Sequence, residues 1–221
     1  NYQQLHQWSV DEPALFWSLV WQDSHLVPAL EKPIDDAEQL QQVLKTASTF
    51  YGAQWFNPVE MNFAENLLQR RDDATALISC GEPSLNQGQD RCISYKELYK
   101  QVAKLADSLK AMGVRQGDRI AAFMPNTQET VVAMLATTSL GAIWSSCSPD
   151  FGLQGVIDRF GQIEPKVLFT TDGYCYGGKI LESLTKVQQI CVQLTSLEQV
   201  IIIPHLSLGQ SNDLEIPHIP T

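Results

Sequence analysis

Seven residues in the second half of the sequence carry its sharpest chemical pattern. Gly173–Lys179 (GYCYGGK) fits G-x-x-x-x-G-K, follows an apolar run and precedes a segment with helical spacing. In loops of this form, backbone N–H groups and a lysine hold phosphate oxygens. The next residue is Ile180, where such loops place the Ser or Thr that binds Mg²⁺. The pattern indicates a phosphate contact that needs no metal, and a plain glycine-rich turn is the equal alternative.

A second polar segment, Ser145–Asp150 (SSCSPD), lies at the end of another apolar run. Its hydroxyl groups could line a pocket, but Ser148 or Asp150 capping the following helix is the favoured interpretation. The motifs G-x-S-x-G and G-x-G-x-x-G are absent, which disfavours a hydrolase triad and a dinucleotide site. Arg159 is expected to pair with a nearby carboxylate such as Glu164.

The cysteines and histidines give no metal pattern. No two cysteines form C-x-x-C, and their mostly apolar flanks predict buried, reduced thiols in a cytoplasmic protein. The histidines are not spaced as ligands, so no metal site is predicted. The cysteines are Cys80, Cys92, Cys147, Cys175 and Cys191.

The charge balance excludes two classes of partner. The 221 residues carry a net charge of −10 without a basic stripe, so neither nucleic acid nor an anionic membrane surface is an expected partner. No apolar run is long enough to span a bilayer. The first residue is not Met, and the last residues are polar and rich in proline. Both features predict that the natural termini lie outside this sequence.

The elements that position the two polar segments alternate between strand and helix. Apolar runs predict strands, and amphipathic segments between them predict helices, which together indicate an α/β fold with a mostly parallel sheet and helices on both faces. The predicted strands are Arg119–Met124, Ala142–Cys147, Lys166–Thr171 and Gln199–Ile203. The predicted helices are Thr127–Leu140, Leu153–Ile163 and Ile180–Leu194. Ligands of such sheets bind beyond the carboxyl ends of the strands, here Pro125–Thr127, Ser145–Gly152 and Thr171–Lys179.

Two further elements precede this sheet. Ala74–Cys80 and Arg91–Ser94 flank a polar loop and predict a β-hairpin. Ser94 and Glu97 form a capping box in front of a strongly amphipathic helix, Tyr95–Met112.

The first 73 residues show no strand pattern. Three helices are predicted there: one from the capping box Ser9–Glu12 to Gln22, then Ile34–Tyr51, then Phe63–Arg70 behind Asn62. The predicted organisation is a helical and loop arm, residues 1–73, followed by an α/β sheet unit, residues 74–221.

Several motifs resemble the acyl-adenylate-forming superfamily, which includes acyl-CoA synthetases, peptide-synthetase adenylation domains and luciferases. Ile93–Leu98 (ISYKEL) and Leu140–Asp150 (LGAIWSSCSPD) look like its first two core motifs. From about Trp8 onwards, further segments look like the acetoacetyl-CoA synthetase branch. These are Trp55–Phe56, Asn62–Leu68, Gly117–Arg119, Met124–Asn126, Val132–Ala136, Gly141–Gly152, Asp158–Lys166 and Asp172–Lys179.

The resemblance implies a reaction in two steps. Acetoacetate attacks the α-phosphate of ATP to give acetoacetyl-adenylate and pyrophosphate, and the thiol of coenzyme A then displaces AMP. Mg²⁺ neutralises the phosphates in the first step. The T-S-G-T-T-G-x-P-K-like loop, the ribose-binding Asp motif and the C-terminal catalytic Lys of the superfamily are absent. The resemblance therefore implies an N-terminal portion with no catalytic residue of its own, inactive until joined to the missing C-terminal portion.

One binding segment carries over from the acetyl-CoA synthetase branch, where an R-A-G-R-type segment touches the phosphates of coenzyme A. Its counterpart here comprises Tyr176, Gly177, Gly178 and Lys179, with Tyr in place of the first Arg. Lys179 is therefore the one cationic phosphate ligand that the resemblance implies in this segment. The alternatives are a synthetase for another short acyl group, such as propionyl or butyryl, and a non-catalytic binding or regulatory module.

Overall fold

The fold is known from a computed structural model, which describes residues 1–27, 37–57, 59–82 and 90–206. The chain divides into two compact units, Asn1–Asn66 and Leu67–Thr221.

The first unit is mainly helical. Trp21 of its second helix packs against Phe56 with ring centroids 4.5 Å apart, and the Asn66 side chain bonds both backbone polar groups of Val27 at 2.8 Å. The helices are α1 (Tyr2–Asp11), α2 (Pro13–Asp23), α3 (Ala37–Val43) and α4 (Phe63–Leu67), with a 3₁₀ turn at Phe50–Gly52. The strands β1 (Leu44–Lys45) and β2 (Gln54–Trp55) pair antiparallel.

The predicted capping box at Ser9 is wrong. The chain is already helical from Tyr2, because the Asn1 side chain accepts a hydrogen bond from the Gln4 N–H at 3.0 Å and caps α1 eight residues before the predicted cap at Ser9. Ser9 lies inside that helix and donates its hydroxyl to His6 O. Pro13 begins α2, since its fixed φ and missing N–H suit the first position of a helix.

The prediction of a helix over Ile34–Tyr51 is also largely wrong. Its first three residues lie outside the described part of the chain, and α3 ends at Val43. The strands β1 and β2, which were not predicted, are two residues long, too short for an alternating pattern to reveal them. The cap at Asn62 is confirmed, because its side chain accepts from Glu65 N at 3.0 Å, although α4 ends at Leu67.

The second unit begins with the predicted hairpin. Strands β3 (Thr75–Ser79) and β4 (Arg91–Ser94) pair antiparallel, and residues 83–89 of their loop lie outside the described chain. Ser94 Oγ accepts from Glu97 N at 3.2 Å at the start of α5 (Tyr95–Ala111), which confirms the Ser94 half of the predicted capping box. The Glu97 carboxylate accepts instead from the Gln101 side chain at 3.1 Å. Leu98, Val102 and Leu109 bury one face of α5.

A four-stranded sheet of strands β5, β6, β7 and β10 forms the centre of this unit. The strands run parallel in the order β10–β7–β5–β6, as an α/β sheet was predicted to do. The elements in chain order are β5 (Arg119–Phe123), α6 (Gln128–Ser139), β6 (Ile143–Cys147), α7 (Leu153–Ile163), β7 (Val167–Thr171), β8 (Gly173–Tyr176), β9 (Lys179–Glu182), α8 (Leu184–Gln193) and β10 (Gln199–Ile203).

The two central strands of the sheet, β5 and β7, are buried on both faces. On one face, Phe123 and Leu168 pack with Phe160 of α7 and with α8 residues that include Val187 and Ile190. Residues that alternate with them, such as Ile120, are equally inaccessible on the opposite face. Burial on both faces explains why these strands read as continuous apolar runs instead of alternating patterns.

The cysteine prediction holds for two of the five residues. Cys147 and Cys191 are buried, and burial raises the pKa of the Cys191 thiol to about 12. Cys80 and Cys92 are exposed on the β3–β4 hairpin, so the prediction is wrong there, while Cys175 is half-buried. None of the five cysteines, all of which lie in the described part of the chain, forms a disulfide. Within the described residues, no helix has the length and apolarity needed to cross a bilayer.

The predicted ion pair between Arg159 and Glu164 is wrong. These residues are five apart, whereas helix neighbours on one face are three or four apart. The Arg159 guanidinium instead donates to Gly155 O at 2.8 Å and lies over the Phe151 ring, 4.4 Å from its centroid.

We predict that Phe160→Ala lowers the free energy of unfolding by about 3–5 kcal/mol, because it removes a fully buried ring from the sheet core. Urea denaturation followed by circular dichroism measures this change. Val192→Ala on the neighbouring helix is the matched control, since that side chain is 52% exposed and should cost little. Equal losses in the two variants would contradict the core assignment.

Candidate functional site

A cavity of about 230 Å³ opens at the carboxyl ends of β5, β6 and β7. It is lined by residues 124–126, 146–150 and 174–176, together with Thr130. Each of the three segments that were predicted to gather at this edge contributes to the lining. The three segments meet at this edge because all strands of a parallel sheet end on the same side.

The turn after β5 is fixed by the start of α6. Thr127 caps this helix through its hydroxyl, which accepts from Thr130 N at 3.3 Å. The Thr130 hydroxyl donates to Pro125 O at 2.6 Å. The wall of the cavity at Pro125 and Asn126 is therefore held by hydrogen bonds within one turn.

The segment after β6 lines the cavity and does not cap α7, so the favoured capping interpretation is wrong. The N-cap position is Gly152, which makes no side-chain cap. The Ser148 hydroxyl donates instead to Asp150 Oδ2 at 3.0 Å, and both residues face the cavity. The polar-pocket interpretation is the one that the geometry supports.

Two residues from other elements hold this segment from outside. Lys186 of α8 donates its ammonium to Pro149 O and Phe151 O, each at 3.2 Å. The Tyr174 hydroxyl donates to Pro149 O at 3.4 Å, and burial together with the Asp150 carboxylate raises the pKa of this phenol. Lys186 was not singled out from the sequence, because it lies 37 residues after Pro149 and no local pattern connects the two positions.

Gly173–Lys179 forms a β-hairpin and not a loop in front of a helix. Strands β8 and β9 pair antiparallel with Tyr176 opposite Lys179. The two central residues, Gly177 and Gly178, have φ values of 58° and 74°, as a type I′ turn requires. The expectation of a helix from Ile180 is wrong, since α8 begins at Leu184.

A close approach of the two strands also requires glycine at the base of this hairpin. A Cβ at Gly173 would lie 2.6 Å from Leu181 O, well inside van der Waals contact. The glycines of the G-x-x-x-x-G-K pattern therefore serve a hairpin: the first allows the approach, and the last allows the turn. Lys179 lies beside the turn with an exposed side chain.

The turn binds a carboxylate from another hairpin. Gly177 N donates to Glu82 Oε1 at 2.9 Å, and Gly178 N donates to Glu82 Oε2 at 3.0 Å. These N–H groups hold the pKa of the Glu82 carboxyl below its usual value, because they stabilise the ionised form. Glu82 lies 95 residues before Gly177, and no local pattern in the sequence connects the two positions.

The structure thus places the four predicted site residues in one short segment. Tyr176 lines the cavity with a side chain that is 66% exposed, the two glycines present their N–H groups at the turn, and Lys179 follows. Within the described ranges, no three His, Cys, Asp or Glu side chains are grouped to hold a metal ion. In chemical terms, the arrangement can hold an anion beside a polar cavity.

Comparison with known proteins identifies a family for most of the chain. The model of the AMP-binding enzyme family matches residues 63–217. Two similar proteins are the acetoacetyl-CoA synthetase of Macaca fascicularis, 37% identical over 99% of this chain, and the acetoacetyl-coenzyme A synthetase of Rhizobium meliloti (strain 1021), 40% identical over 93%. The malonamoyl-CoA synthetase of Penicillium aethiopicum is 36% identical over 97%.

A solved structure shows the same fold. The acetoacetyl-CoA synthetase from Streptomyces lividans superposes with a TM-score of 0.81 at 39% identity and covers 96% of this chain. This chain spans 31% of that protein and between 29% and 31% of the three relatives above. Because the family model matches well over half of the chain, this chain belongs to the AMP-binding enzyme family.

Proposed function

We propose that this chain is the N-terminal part of an acetoacetyl-CoA synthetase, an AMP-forming acid–thiol ligase. The proposal is supported by 36–40% identity to such enzymes along nearly the whole chain and by the TM-score of 0.81 to one of them. A non-catalytic module and a propionyl or butyryl synthetase are the less favoured alternatives.

The reaction proposed for the complete enzyme joins an acid to a thiol in two displacements. A carboxylate oxygen of acetoacetate bonds to the α-phosphorus of ATP, and pyrophosphate leaves. The sulfur of coenzyme A then bonds to the carbonyl carbon of the adenylate, AMP leaves, and the thiol proton passes to solvent or to a base. Bound Mg²⁺ would supply charge neutralisation for the ATP phosphates in the complete enzyme.

The substrate class follows from the chemistry that two named relatives share. Acetoacetate and malonamate are both short acids with a carbonyl group on the third carbon. The relatives named for these acids are 36–40% identical to this chain. We therefore propose a short 3-carbonyl acid as the substrate, with acetoacetate preferred because the other similar proteins named above are acetoacetyl-CoA synthetases.

Within this enzyme we assign the edge of the coenzyme A site to Tyr176, Gly177, Gly178 and Lys179. The observation that carries the assignment is that two adjacent N–H groups already converge on one anion, the Glu82 carboxylate, at 2.9 and 3.0 Å. Adjacent N–H groups of this kind form a nest that binds phosphate as well as carboxylate. Lys179 adds a positive charge next to them, and the polar cavity beside Tyr176 offers room for the rest of a ligand.

Adenylation is assigned to the remainder of the enzyme. The described residues offer no metal cluster, and the sequence holds no T-S-G-T-T-G-x-P-K-like loop. We therefore assign the residues that would hold Mg²⁺ to parts of the enzyme beyond this chain.

The substrate proposal predicts a ranking in ATP–pyrophosphate exchange by the complete enzyme. Acetoacetate should support the fastest exchange, malonamate less, and butyrate, which has no 3-carbonyl oxygen, at least about tenfold less, as expected when a hydrogen-bonding site is left unpaired. The 221-residue chain alone should give no exchange above background. Robust exchange by the chain alone, or equal rates for butyrate and acetoacetate, would contradict the proposal.

The coenzyme A assignment predicts a split between the two half-reactions. In the complete enzyme, Lys179→Ala should raise KM for coenzyme A about 10–100-fold, since a charge-assisted contact is worth about 1.5–3 kcal/mol. Acetoacetate-dependent exchange should stay near the rate of the unmodified enzyme, because the first step does not involve coenzyme A.

Lys100→Ala is the matched control for that variant. Lys100 is exposed on α5 and makes no ion pair with any residue that the structure describes, so its loss tests the effect of charge alone. If Lys179→Ala slowed both half-reactions equally, the assignment of Lys179 to coenzyme A would be wrong.

A further inference from the structure

The Glu82 carboxylate occupies the N–H pair of the β8–β9 turn in a bidentate manner. Each oxygen accepts one hydrogen bond, from Gly177 N at 2.9 Å and from Gly178 N at 3.0 Å. Cys175 Sγ lies 3.8 Å from Oε2, in a contact that a weak thiol donor can make. All three partners belong to one hairpin, whereas Glu82 comes from the loop that follows β3.

If the turn belongs to the coenzyme A site, the Glu82 carboxylate occupies the position that a phosphate group of coenzyme A would take. A phosphate monoester and a carboxylate both present acceptor oxygens of matching spacing, and each N–H has a single proton to donate. The turn therefore holds one anion or the other. In this structure the anion is the Glu82 carboxylate, whose pKa the two N–H groups lower because they stabilise its ionised form.

Lys179 favours the binding of a ligand phosphate at the turn over the binding of the Glu82 carboxylate. Its ammonium makes no ion pair with any carboxylate in the described part of the chain, Glu82 included. A phosphate dianion that replaces Glu82 can use the two N–H groups and this ammonium together. A ligand without a phosphate group gains neither, and leaves Glu82 in place.

We propose that Glu82 is an internal competitor for the coenzyme A phosphate site, an inference that rests on the assignment of Gly177–Lys179 to that site. Its carboxylate fills the turn in the free protein and leaves when a phosphate group of the ligand binds. Glu82 thereby sets the affinity for coenzyme A and selects ligands that carry a phosphate. It is a specificity-determining residue and takes no part in bond making.

The inference is tested with Glu82→Gln in this 221-residue chain. The amide keeps one oxygen for the turn but loses the negative charge. The probe is adenosine 3′,5′-bisphosphate, which carries charged groups of coenzyme A, and binding is followed by the amide resonances of Gly177 and Gly178. We expect the variant to bind the probe at least about tenfold more tightly than the unmodified chain, the scale of one hydrogen bond to a charged group.

Glu182→Gln is the matched control. It removes the same charge from β9 of the same hairpin, at a carboxylate that accepts from Thr185 N at 3.0 Å and does not touch the turn. Its affinity for the probe should equal that of the unmodified chain within about twofold, since an exposed charge away from the bound anion is screened. Pantetheine, which lacks phosphate, should give no difference between the variants.

Three other outcomes overturn the inference in distinguishable ways. If Glu82→Gln binds the probe with equal or lower affinity while the Gly177 and Gly178 resonances still respond, Glu82 is a fixed part of the hairpin and the coenzyme A assignment survives. If both glutamate variants bind more tightly to the same extent, the effect is one of net charge. If no protein binds the probe, the coenzyme A assignment fails together with the inference.

Discussion

Parallel pairing of β5, β6, β7 and β10 is the constraint on which the rest of the second unit depends. A parallel strand cannot be joined to its neighbour by a tight turn, so each crossover must travel the length of the sheet and cover one of its faces. The crossovers bury the strands on both sides and bring the start of every connection to one edge. The position of the cavity at that edge therefore follows from topology, and side chains such as Ser148 and Asp150 make it polar.

The β8–β9 hairpin interrupts the alternation of parallel strands and helices. In our proposal it determines which ligand binds at the carboxyl edge of the sheet. The chain leaves β7, turns back at once, and begins α8 only after an extra pair of antiparallel strands. A type I′ turn leaves the N–H groups of its two central residues without a partner inside the hairpin. The Glu82 carboxylate accepts a hydrogen bond from each of them. We read the same donors as the phosphate contact of the complete enzyme.

The sequence predicted most of the sheet unit because local signals agreed with the tertiary arrangement there. Continuous apolar runs marked the central strands, and the Ser94 hydroxyl marked the start of α5. The arm was harder to predict. Asn1 and Pro13 set its helix boundaries, which differ from the start that the Ser9 pattern indicated, and strands of two residues are too short to show an alternating pattern.

At Gly173–Lys179 the pattern was found but its structure was misassigned, since glycines at these positions suit a phosphate loop and a hairpin turn alike. Glu82 could not be found from the sequence, as its contact with the turn depends on the placement of two separate hairpins.

In our proposal, the Gly177–Gly178 turn and Lys179 bind a phosphate of coenzyme A in place of Glu82. A crystal structure of the complete enzyme with bound coenzyme A is the decisive measurement. We expect phosphate oxygens about 3 Å from Gly177 N and Gly178 N, the Lys179 ammonium beside them, and the Glu82 carboxylate withdrawn from the turn. Bound coenzyme A with its phosphates elsewhere, and Glu82 still bonded to both glycines, would contradict it.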